Sequence, residues 1–390
     1  MSVILREIVY IPKKQYKQHM TFIDLGIKKS IVKGLKELNI VHPTKIQEEA
    51  IPLLLNNDRD FIGLAQTGTG KTAAYGLPII QQIDPKVDKV QALILAPTRE
   101  LVQQIQKQLF KYTKYYEHKI FAEGVYGGEK MDIQLKRLQR TTHIIVATPG
   151  RLLDFMERGE VDLQQIETLV LDEADEMLSM GFKQDLNKIL KNTSGQRYTW
   201  LFSATMPDEI KTIIKTYMAP NALRIEIDPN SIVNDNISHH YVVTSIKDKA
   251  NIITRLLDGH PDDRGIIFTR TKAGARQLVK ELTDEGFSVD ALEGDMQQKE
   301  RDKVMRAFKN ESLQFLVSTD VSARGIDVNN LAFVIHHQLP DQMEYYTHRS
   351  GRTARAGKTG KSIALIISGE EQDIQKVQKE LNIKFKQMTL

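Results

Sequence analysis

Two short segments carry residues suited to phosphate chemistry. Residues 65–72 read AQTGTGKT, and residues 168–175 read TLVLDEAD, an apolar run followed by acidic residues. Glycines let a turn curl so that its N–H groups face phosphate oxygens, and a following lysine neutralises them. Carboxylates at a strand tip hold hydrated Mg²⁺ and polarise an attacking water. Together the two segments predict nucleotide hydrolysis.

Each segment also has an interpretation without chemistry. Ala65 stands where the usual phosphate-loop pattern has glycine, so a plain turn stays an alternative. Asp172 and Glu173 fit the acidic start of a helix, which the helix dipole favours. The presence of both segments favours phosphate chemistry, with Lys71 bridging the β and γ phosphates and Thr72 binding Mg²⁺. Asp172 then holds hydrated Mg²⁺, and Glu173 polarises the attacking water.

A third segment, HRSGRTARAG at residues 348–357, spaces Arg349, Arg352 and Arg355 at intervals of three. Guanidinium forks match phosphate oxygens better than an ammonium group does. The glycines suit a tight turn from a strand to a helix. Since this half of the chain has no phosphate loop, the pattern predicts arginine fingers that act on the nucleotide of the first half. A solvated basic surface is the alternative.

Apolar runs rich in β-branched residues alternate with helix-like stretches, which predicts α/β domains with parallel sheets. The runs begin at Gln91, His143, Thr168 and Thr199 in the first half and at Arg264, Leu313, Leu331 and Lys361 in the second. Polar motifs follow where these runs end. Because open parallel sheets bind ligands beyond the carboxyl ends of their strands, both domains are expected to present these motifs on that face.

Length and composition predict two domains. The chain has 390 residues, of which 41% are hydrophobic and 27% charged, so it is globular and longer than one core usually supports. Residues 227–238 accumulate Asp, Asn, Pro and Ser without periodicity, and we place a linker there. The predicted parts are an extension at 1–20, a first domain at 21–226 and a second at 239–390.

Composition also excludes several classes of function. The absence of cysteine excludes disulfides, thiolate zinc sites and a cysteine nucleophile. A net charge of +4 permits nucleic-acid binding without arguing for it. The first twenty residues interrupt their apolar positions with charges, and no run approaches the ~18 apolar residues of a membrane span. These features predict a cytoplasmic protein, with a nuclear location left open.

In their order along the chain, the motifs resemble those of the DEAD-box RNA helicases of superfamily 2. The resemblance runs from about Phe22 to about Phe385. Its motifs are Phe22 with NIVHPTKIQ, AQTGTGKT, PTREL from Pro97, Gly127-Gly128, TPGR from Thr148, DEAD from Asp172, SAT from Ser203, FTR from Phe268, TDVSARGID from Thr319 and HRSGRTAR from His348. It implies two RecA-like parallel-sheet domains joined by a short linker, with ATP, Mg²⁺ and RNA as ligands.

The resemblance assigns roles residue by residue. Implied nucleotide contacts are Phe22, Thr44, Gln47, Gln66, Thr67, Gly68, Thr69, Gly70, Lys71, Thr72 and Asp327. Implied contacts with the RNA backbone are Arg99, Gly128, Thr148 and Arg151 in the first domain and Arg270, Gly294, Arg301 and Thr319 in the second. Arg352 and Arg355 would be the fingers. Asp175, Ser203, Thr205 and His348 would couple nucleotide state to closure, although SAT alone also suits an N-cap.

The chain departs from the family pattern at two places. Asn39-Ile40 stand where many members have Gly-Phe, and Thr353-Ala354-Arg355 stand where many have Thr-Gly-Arg. The first weakens the match to the adenine-reading motif, and the second leaves both predicted fingers in place.

The resemblance implies an RNA-stimulated ATPase that closes on ATP, Mg²⁺ and one RNA strand and so separates short duplexes. Few aromatics lie among the RNA-facing motifs, which predicts a backbone grip without base specificity. An ATP-gated RNA clamp with slow hydrolysis is the alternative, and a DNA translocase is disfavoured by the motif set. The core is expected to be monomeric, and its RNA target and protein partners stay open.

Overall fold

The chain forms two compact units. The computed structural model describes residues 20–56, 59–66, 68–193, 197–227, 236–323, 331–354 and 358–389. The division between the units falls after Ile227. Each unit holds a seven-stranded parallel sheet, so the predicted α/β class is confirmed.

The predicted linker is too long at its carboxyl end. Ile237 and Ser238 belong to the first strand of the second unit, where Ile237 pairs with Gly360 and Ser238 with Lys361. The polar composition of this segment suggested a linker, but residues 237 and 238 are extended because they pair with the buried strand that begins at Gly360. Residues 228–235 lie outside the described residues.

The first unit alternates strands with helices. Its strands are β1 (Phe61–Leu64), β2 (Ala92–Leu95), β3 (Ala122–Val125), β4 (Ile144–Ala147), β5 (Thr168–Leu171), β6 (Tyr198–Ser203) and β7 (Leu223–Glu226). Its helices are α1 (Lys29–Glu37), α2 (Lys45–Asn56), α3 (Lys71–Gln82), α4 (Arg99–Tyr112), α5 (Met131–Leu138), α6 (Pro149–Glu157), α7 (Ala174–Ser179), α8 (Lys183–Asn192) and α9 (Asp208–Tyr217). The sheet order is β3-β4-β2-β5-β6-β1-β7.

Both faces of this sheet are buried. Successive side chains of a strand point to opposite faces, so Ile94 joins one apolar cluster while Leu93 and Leu95 join the other. The four apolar runs noted in this half form β2, β4, β5 and β6. Strands β3 (AEGV) and β7 (LRIE) lie at the edges, and their polar residues gave no comparable signal.

The second unit repeats the pattern. Its strands are β8 (Ile237–Thr244), β9 (Gly265–Phe268), β10 (Val289–Leu292), β11 (Phe315–Ser318), β12 (Phe333–His336), β13 (Gly360–Ile367) and β14 (Phe385–Gln387). Its helices are α10 (Lys249–Asp258), α11 (Lys272–Asp284), α12 (Gln298–Lys309), α13 (Asp320–Ala323), α14 (Met343–Ser350) and α15 (Glu371–Leu381). The sheet order is β10-β11-β9-β12-β13-β8-β14.

Here too the sheet has helices on both faces. Ile267 and Val317 lie in one core cluster, and their neighbours Ile266 and Leu316 lie in the other. All pairs in the ladder are parallel, so the carboxyl ends of these strands meet at one edge. Across the described residues, no helix is both long enough and apolar enough to cross a membrane.

Candidate nucleotide and RNA sites

The loop after β1 has the backbone that its glycines predict. Gly68 and Gly70 have φ of 85° and 92°, in the left-handed region that glycine adopts without strain. Gly70 is also the N-cap of α3, and a Cβ there would lie 2.2 Å from Nε2 of Gln47. The left-handed backbone therefore favours glycine at position 70, and a Cβ there would also displace the amide of Gln47.

Lys71 begins α3 and is almost fully buried. Its Nζ donates to the carbonyl oxygen of Ala65 at 3.0 Å, so the loop folds back over its own lysine. Thr69 Oγ1 donates to the carbonyl of Gln66 at 2.7 Å and closes the same turn. The ammonium group thus lies beside the loop backbone and the N-terminus of α3, where phosphate binding is favoured.

Thr44 and Gln47 contact this loop directly. Gln47 Oε1 accepts from the N–H of Thr44 at 2.9 Å, while its Nε2 donates to the carbonyl of Gly70 at 2.9 Å. Thr44 Oγ1 donates to the carbonyl of Thr69 at 2.7 Å. The two residues predicted to read adenine are therefore also the residues that hold the phosphate loop.

Replacing Gln47 by Ala should raise the KM for ATP by about tenfold, because it removes two hydrogen bonds of a buried amide. Steady-state kinetics with ATP and GTP test the base-reading role, since loss of adenine recognition lowers the preference for ATP as well. Gln81→Ala is the control: Gln81 also bridges backbone groups, at Lys28 and Gly26, but away from the loop. Equal turnover of GTP and ATP by the unmutated protein would show that Gln47 does not select adenine.

Phe22 is buried, with 1% of its surface exposed, and it belongs to the core of the first unit. Its predicted stacking on adenine stays a prediction, since in this structure the ring packs among apolar side chains.

Three polar groups meet near the end of β5. Tyr75 OH donates to Asp172 Oδ2 at 2.8 Å and also interacts with the side chain of Thr72. The N–H of Glu173 donates to Asp172 Oδ1 at 3.0 Å. Burial raises the pKa of Asp172, while the nearby Lys71 ammonium and the Tyr75 hydrogen bond act in the opposite direction. The charged carboxylate is therefore costly here unless a cation accompanies it.

This arrangement fits Mg²⁺. Among the described residues, no three acidic, histidine or cysteine side chains gather into a metal cage of their own. Mg²⁺ does not require one, because it typically takes one or two carboxylates and completes its shell with water and phosphate oxygens. A buried Asp172, which is linked to Thr72 through the hydroxyl of Tyr75, supplies such a partial set.

Glu173 has a strained backbone. Its φ of 49° and ψ of 51° are left-handed, and it is the N-cap of α7. Such a conformation costs a residue with a side chain on the order of 1 kcal/mol and is typical of functional sites. Glu173 does lie at the start of a helix, as the alternative without chemistry predicts. That alternative does not explain why its backbone is strained.

The SAT segment contacts the DEAD segment. Thr205 donates to Asp175 Oδ2 from its N–H at 2.9 Å and from its Oγ1 at 2.8 Å. In the described part of the chain, Asp175 Oδ1 and Ser203 Oγ are buried without hydrogen-bond partners. The N-cap alternative for this segment is wrong, because α9 begins at Asp208 with Pro207 as its N-cap.

The predicted RNA contacts of the first unit lie together. Arg99, at the start of α4, donates to the carbonyl of Gly128 at 3.3 Å. Arg151 donates to the carbonyl of the next residue, Glu129, at 3.0 Å. Thr148 is the N-cap of α6 after β4. These groups follow β2, β3 and β4, so they form one polar surface at the carboxyl edge of the sheet.

The second unit places its predicted RNA contacts after β9, β10 and β11. Arg270 pairs with Asp341 at 3.1 Å, and Arg301 donates to the carbonyl of Ser322 at 2.8 Å. Thr319 Oγ1 donates to Ser322 Oγ at 3.1 Å. Gly294 lies beside Lys272, whose Cε would be 3.2 Å from an added Cβ.

The arginine segment differs from its predicted form. His348, Arg349 and Ser350 end α14, so the segment follows a helix rather than joining a strand to one. Arg349 is 3% exposed and binds both oxygens of Asp320, at 2.5 and 2.7 Å. Arg352 is 8% exposed. The solvated-surface alternative is therefore wrong for both arginines, and Arg349 stabilises the fold.

Both departures from the family pattern have left-handed backbones. Asn39 has φ of 58°, which asparagine tolerates better than most residues. Ala354 has φ of 54°, where its Cβ costs about 1–2 kcal/mol. Glycine is the ordinary residue for such positions, so the first change is mild and the second places strain next to Arg352.

Three predicted site residues, Thr67, Asp327 and Arg355, lie outside the described residues, as do positions 1–19 of the predicted extension. Their roles stay predictions.

A buried polar network under α14 was missed from the sequence. Ser362 Oγ lies 2.9 Å from His336 Nε2, 3.1 Å from Tyr346 OH and 2.9 Å from Ser350 Oγ. Burial lowers the pKa of His239, which is 2.7 Å from Tyr346 OH, to about 4. His and Ser inside the apolar runs LAFVIHH and KSIALIIS were the available signal. The network fixes the helix that leads into Arg352.

The sheet order separates two sets of groups. In the first unit, β5, β6 and β1 are neighbours in the sheet; Asp172 follows β5, Ser203 ends β6, and Lys71 begins the helix after β1. The polar surface of Arg99 and Arg151 follows β2, β3 and β4 on the other side. The carboxyl edge of the sheet is thus divided into a half with the predicted phosphate-binding residues and a half with the predicted RNA contacts.

Two family descriptions match the chain. The DEAD/DEAH box helicase family matches residues 44–213, and the helicase conserved C-terminal domain matches residues 248–357. The DEAD-box ATP-dependent RNA helicase CshA of Geobacillus kaustophilus is 39% identical over 94% of this chain and 78% of that protein. The chain belongs to the DEAD-box ATP-dependent RNA helicases. Members of this family hydrolyse ATP in an RNA-stimulated manner.

Other relatives agree with this assignment. The ATP-dependent RNA helicase CshA of Limosilactobacillus reuteri is 42% identical over 92% of this chain and 72% of that protein. Saccharomyces cerevisiae Dbp5, solved with RNA and ADP BeF3, is 33% identical with a TM-score of 0.86 over 94% of this chain and 95% of that one. Mss116p, solved with ssRNA and AMP-PNP, is 27% identical with a TM-score of 0.85 over 97% and 82%. The expected RecA-like fold is confirmed.

Proposed function

We propose that this DEAD-box chain closes on ATP, Mg²⁺ and one strand of RNA, separates short duplexes or remodels RNA–protein complexes, and reopens after hydrolysis. The arrangement of the first unit supports this proposal most directly. The hydrogen-bonded surface of Arg99, Gly128, Glu129 and Arg151 lies at the same sheet edge as Lys71 and Asp172. RNA and nucleotide therefore have adjacent places on one rigid sheet.

ATP binding replaces contacts that the loop makes with itself. Lys71 exchanges the carbonyl of Ala65 for the β and γ phosphates, and the N–H groups at the start of α3 face the same oxygens. Asp172 and Thr72 would hold Mg²⁺, which neutralises charge that develops on the phosphates. Glu173 positions and polarises the attacking water.

Closure supplies what the first unit lacks. Arg352 provides a guanidinium that relieves charge at the γ phosphate, so hydrolysis needs both units. We assign coupling between nucleotide state and closure to Ser203, Thr205, Asp175 and His348. The unpartnered buried oxygens of Ser203 and Asp175 support this role, because such groups are costly until a new partner arrives.

RNA is held through its backbone. Arginines donate to phosphate oxygens, and exposed backbone carbonyls can accept from 2′-hydroxyls; neither group carries sequence information. The four residues predicted in each unit to contact RNA make this grip. Contacts with the 2′-hydroxyl distinguish RNA from DNA.

The test compares RNA and DNA strands of identical sequence in an ATPase assay, alongside separation of a short labelled RNA duplex. We expect weak activity without nucleic acid, clear stimulation by RNA and little by DNA. Equal stimulation by DNA would contradict the proposal. RNA-stimulated hydrolysis without duplex separation, together with slow RNA release, would instead favour the ATP-gated clamp.

A further inference from the structure

A groove lies on the first unit away from the edge that carries Lys71. It has a volume of about 400 Å³ and runs between the second half of α4 and the start of β3. We call it the α4 groove and define it by Gln106, Lys107, Phe110, Ile120 and Phe121, which line it. Strand β3 is one of the two edge strands of the sheet, so the groove opens at the side of the unit.

Two phenyl rings stand exposed at this groove. Phe110 is 75% exposed, the highest value for any large hydrophobic side chain in the described residues, and Phe121 is 44% exposed. Phe121 is held in place by His143, whose ring stacks on it at 5.8 Å and 14° and whose Nδ1 accepts from its N–H at 3.1 Å. Exposed rings that flank a groove mark an interaction surface.

The charge around the rings is basic. Lys107 lies one helical turn before Phe110, Lys111 follows it, and Lys119 precedes Phe121 by two residues; all three are exposed. The acid of the lining, Glu123, is held within the protein by Gln106 at 3.4 Å and Arg137 at 3.7 Å, and burial raises its pKa. The exposed charge at the groove is therefore positive, which favours a polyanionic ligand over an uncharged apolar one.

Helix α4 connects the groove to the proposed RNA surface. At 3.6 residues per turn, Phe110 lies about 20° around the helix axis from Arg99 and about 16 Å along it. Gln103 and Gln106 fall on the same stripe between them and are partly exposed. A strand that leaves Arg99 along this stripe reaches the two rings.

We propose that the α4 groove is a second contact for the single-stranded RNA bound at Arg99, with bases stacking on Phe110 and Phe121 and phosphates meeting Lys107 and Lys111. This proposal rests on the proposed RNA function. Base–aromatic stacking is tolerant of sequence, because every base has a π face, so the groove extends the grip without adding base specificity. It should act only on strands long enough to reach it.

The experiment measures the affinity of the full chain for two fluorescent RNAs, one of about 8 and one of about 20 nucleotides, by anisotropy. The double variant Phe110→Ala/Phe121→Ala should bind the long RNA roughly tenfold more weakly, while its affinity for the short RNA changes less than about twofold. Ile246→Ala is the matched control, because Ile246 is 74% exposed but lies in the second unit. Melting temperatures check that all variants fold.

A second variant tests the charges. Lys107→Gln/Lys111→Gln should reduce the slope of log affinity against log salt for the long RNA by about 0.7 per lost phosphate contact. Unchanged long-RNA affinity in the phenyl variant, or an equal loss for both RNAs, would overturn the proposal and leave the groove to a protein partner. Failure of the unmutated chain to bind either RNA would refute the proposed function instead, so the two failures are distinct.

Discussion

Replacing Glu173 by Gln should lower the turnover number for ATP by about 10²–10⁴, the usual contribution of a positioned general base. The affinities for ATP and RNA should stay close to those of the unmutated chain, because the amide keeps the size of the carboxylate and removes only its basicity. The left-handed backbone at this position is unchanged by the substitution, so the geometry of β5 and α7 should be retained. Single-turnover hydrolysis and equilibrium binding of both ligands measure the two effects.

The control is Glu176→Gln on the same helix. Glu176 is also buried and loses a carboxylate in the same way, but it lies one turn further along α7. We expect turnover within about threefold of the unmutated protein, since surrounding packing rather than chemistry is affected. Near-normal hydrolysis in Glu173→Gln would remove Glu173 from its assigned role.

Replacing Arg352 by Ala should lower RNA-stimulated hydrolysis by about 10³ or more, as when an arginine finger is removed from phosphoryl transfer. Initial ATP binding should change little, because Lys71 and the phosphate loop lie in the other unit. Duplex separation should fall with hydrolysis. Nucleotide titration and turnover separate a change in KM from a change in kcat.

Two further variants separate the chemical role of Arg352 from a structural role. Arg352→Lys keeps the charge but loses the planar fork, so it should recover only part of the activity. Arg349→Ala should instead lower the melting temperature, because it leaves the carboxylate of Asp320 without its bidentate partner. Normal turnover in Arg352→Ala would show that hydrolysis does not need this arginine.

The fold class followed from the sequence alone, as did the placing of polar motifs at the ends of the strands. Apolar runs such as ALIL and FLVS have the length and β-branched content of buried parallel strands, and polar motifs follow them directly. Gly68 and Gly70 predicted a tightly curled turn, and both residues have a left-handed backbone in the structure. These features are local, so neighbouring residues alone specify them.

Edge strands and boundaries were less predictable. The strand AEGV is short and polar, and it exists because β4 supplies hydrogen bonds along one side. Ile237 joins β8 for the same reason, through pairing with a residue 123 positions later at Gly360. Periodicity within a window cannot report a partner that is distant in sequence.

Which motifs are neighbours, and which arginine is structural, depends on contacts between residues far apart in the sequence. The order β3-β4-β2-β5-β6-β1-β7 leaves only β6 between the strands that lead to Lys71 and Asp172, and it gathers Arg99 with Arg151, although the chain visits these strands in a different order. Arg349 and Arg352 are alike in sequence, yet Asp320 fixes one of them by a contact across 29 residues. Long-range packing sets burial and partners, and those determine what an identical side chain does.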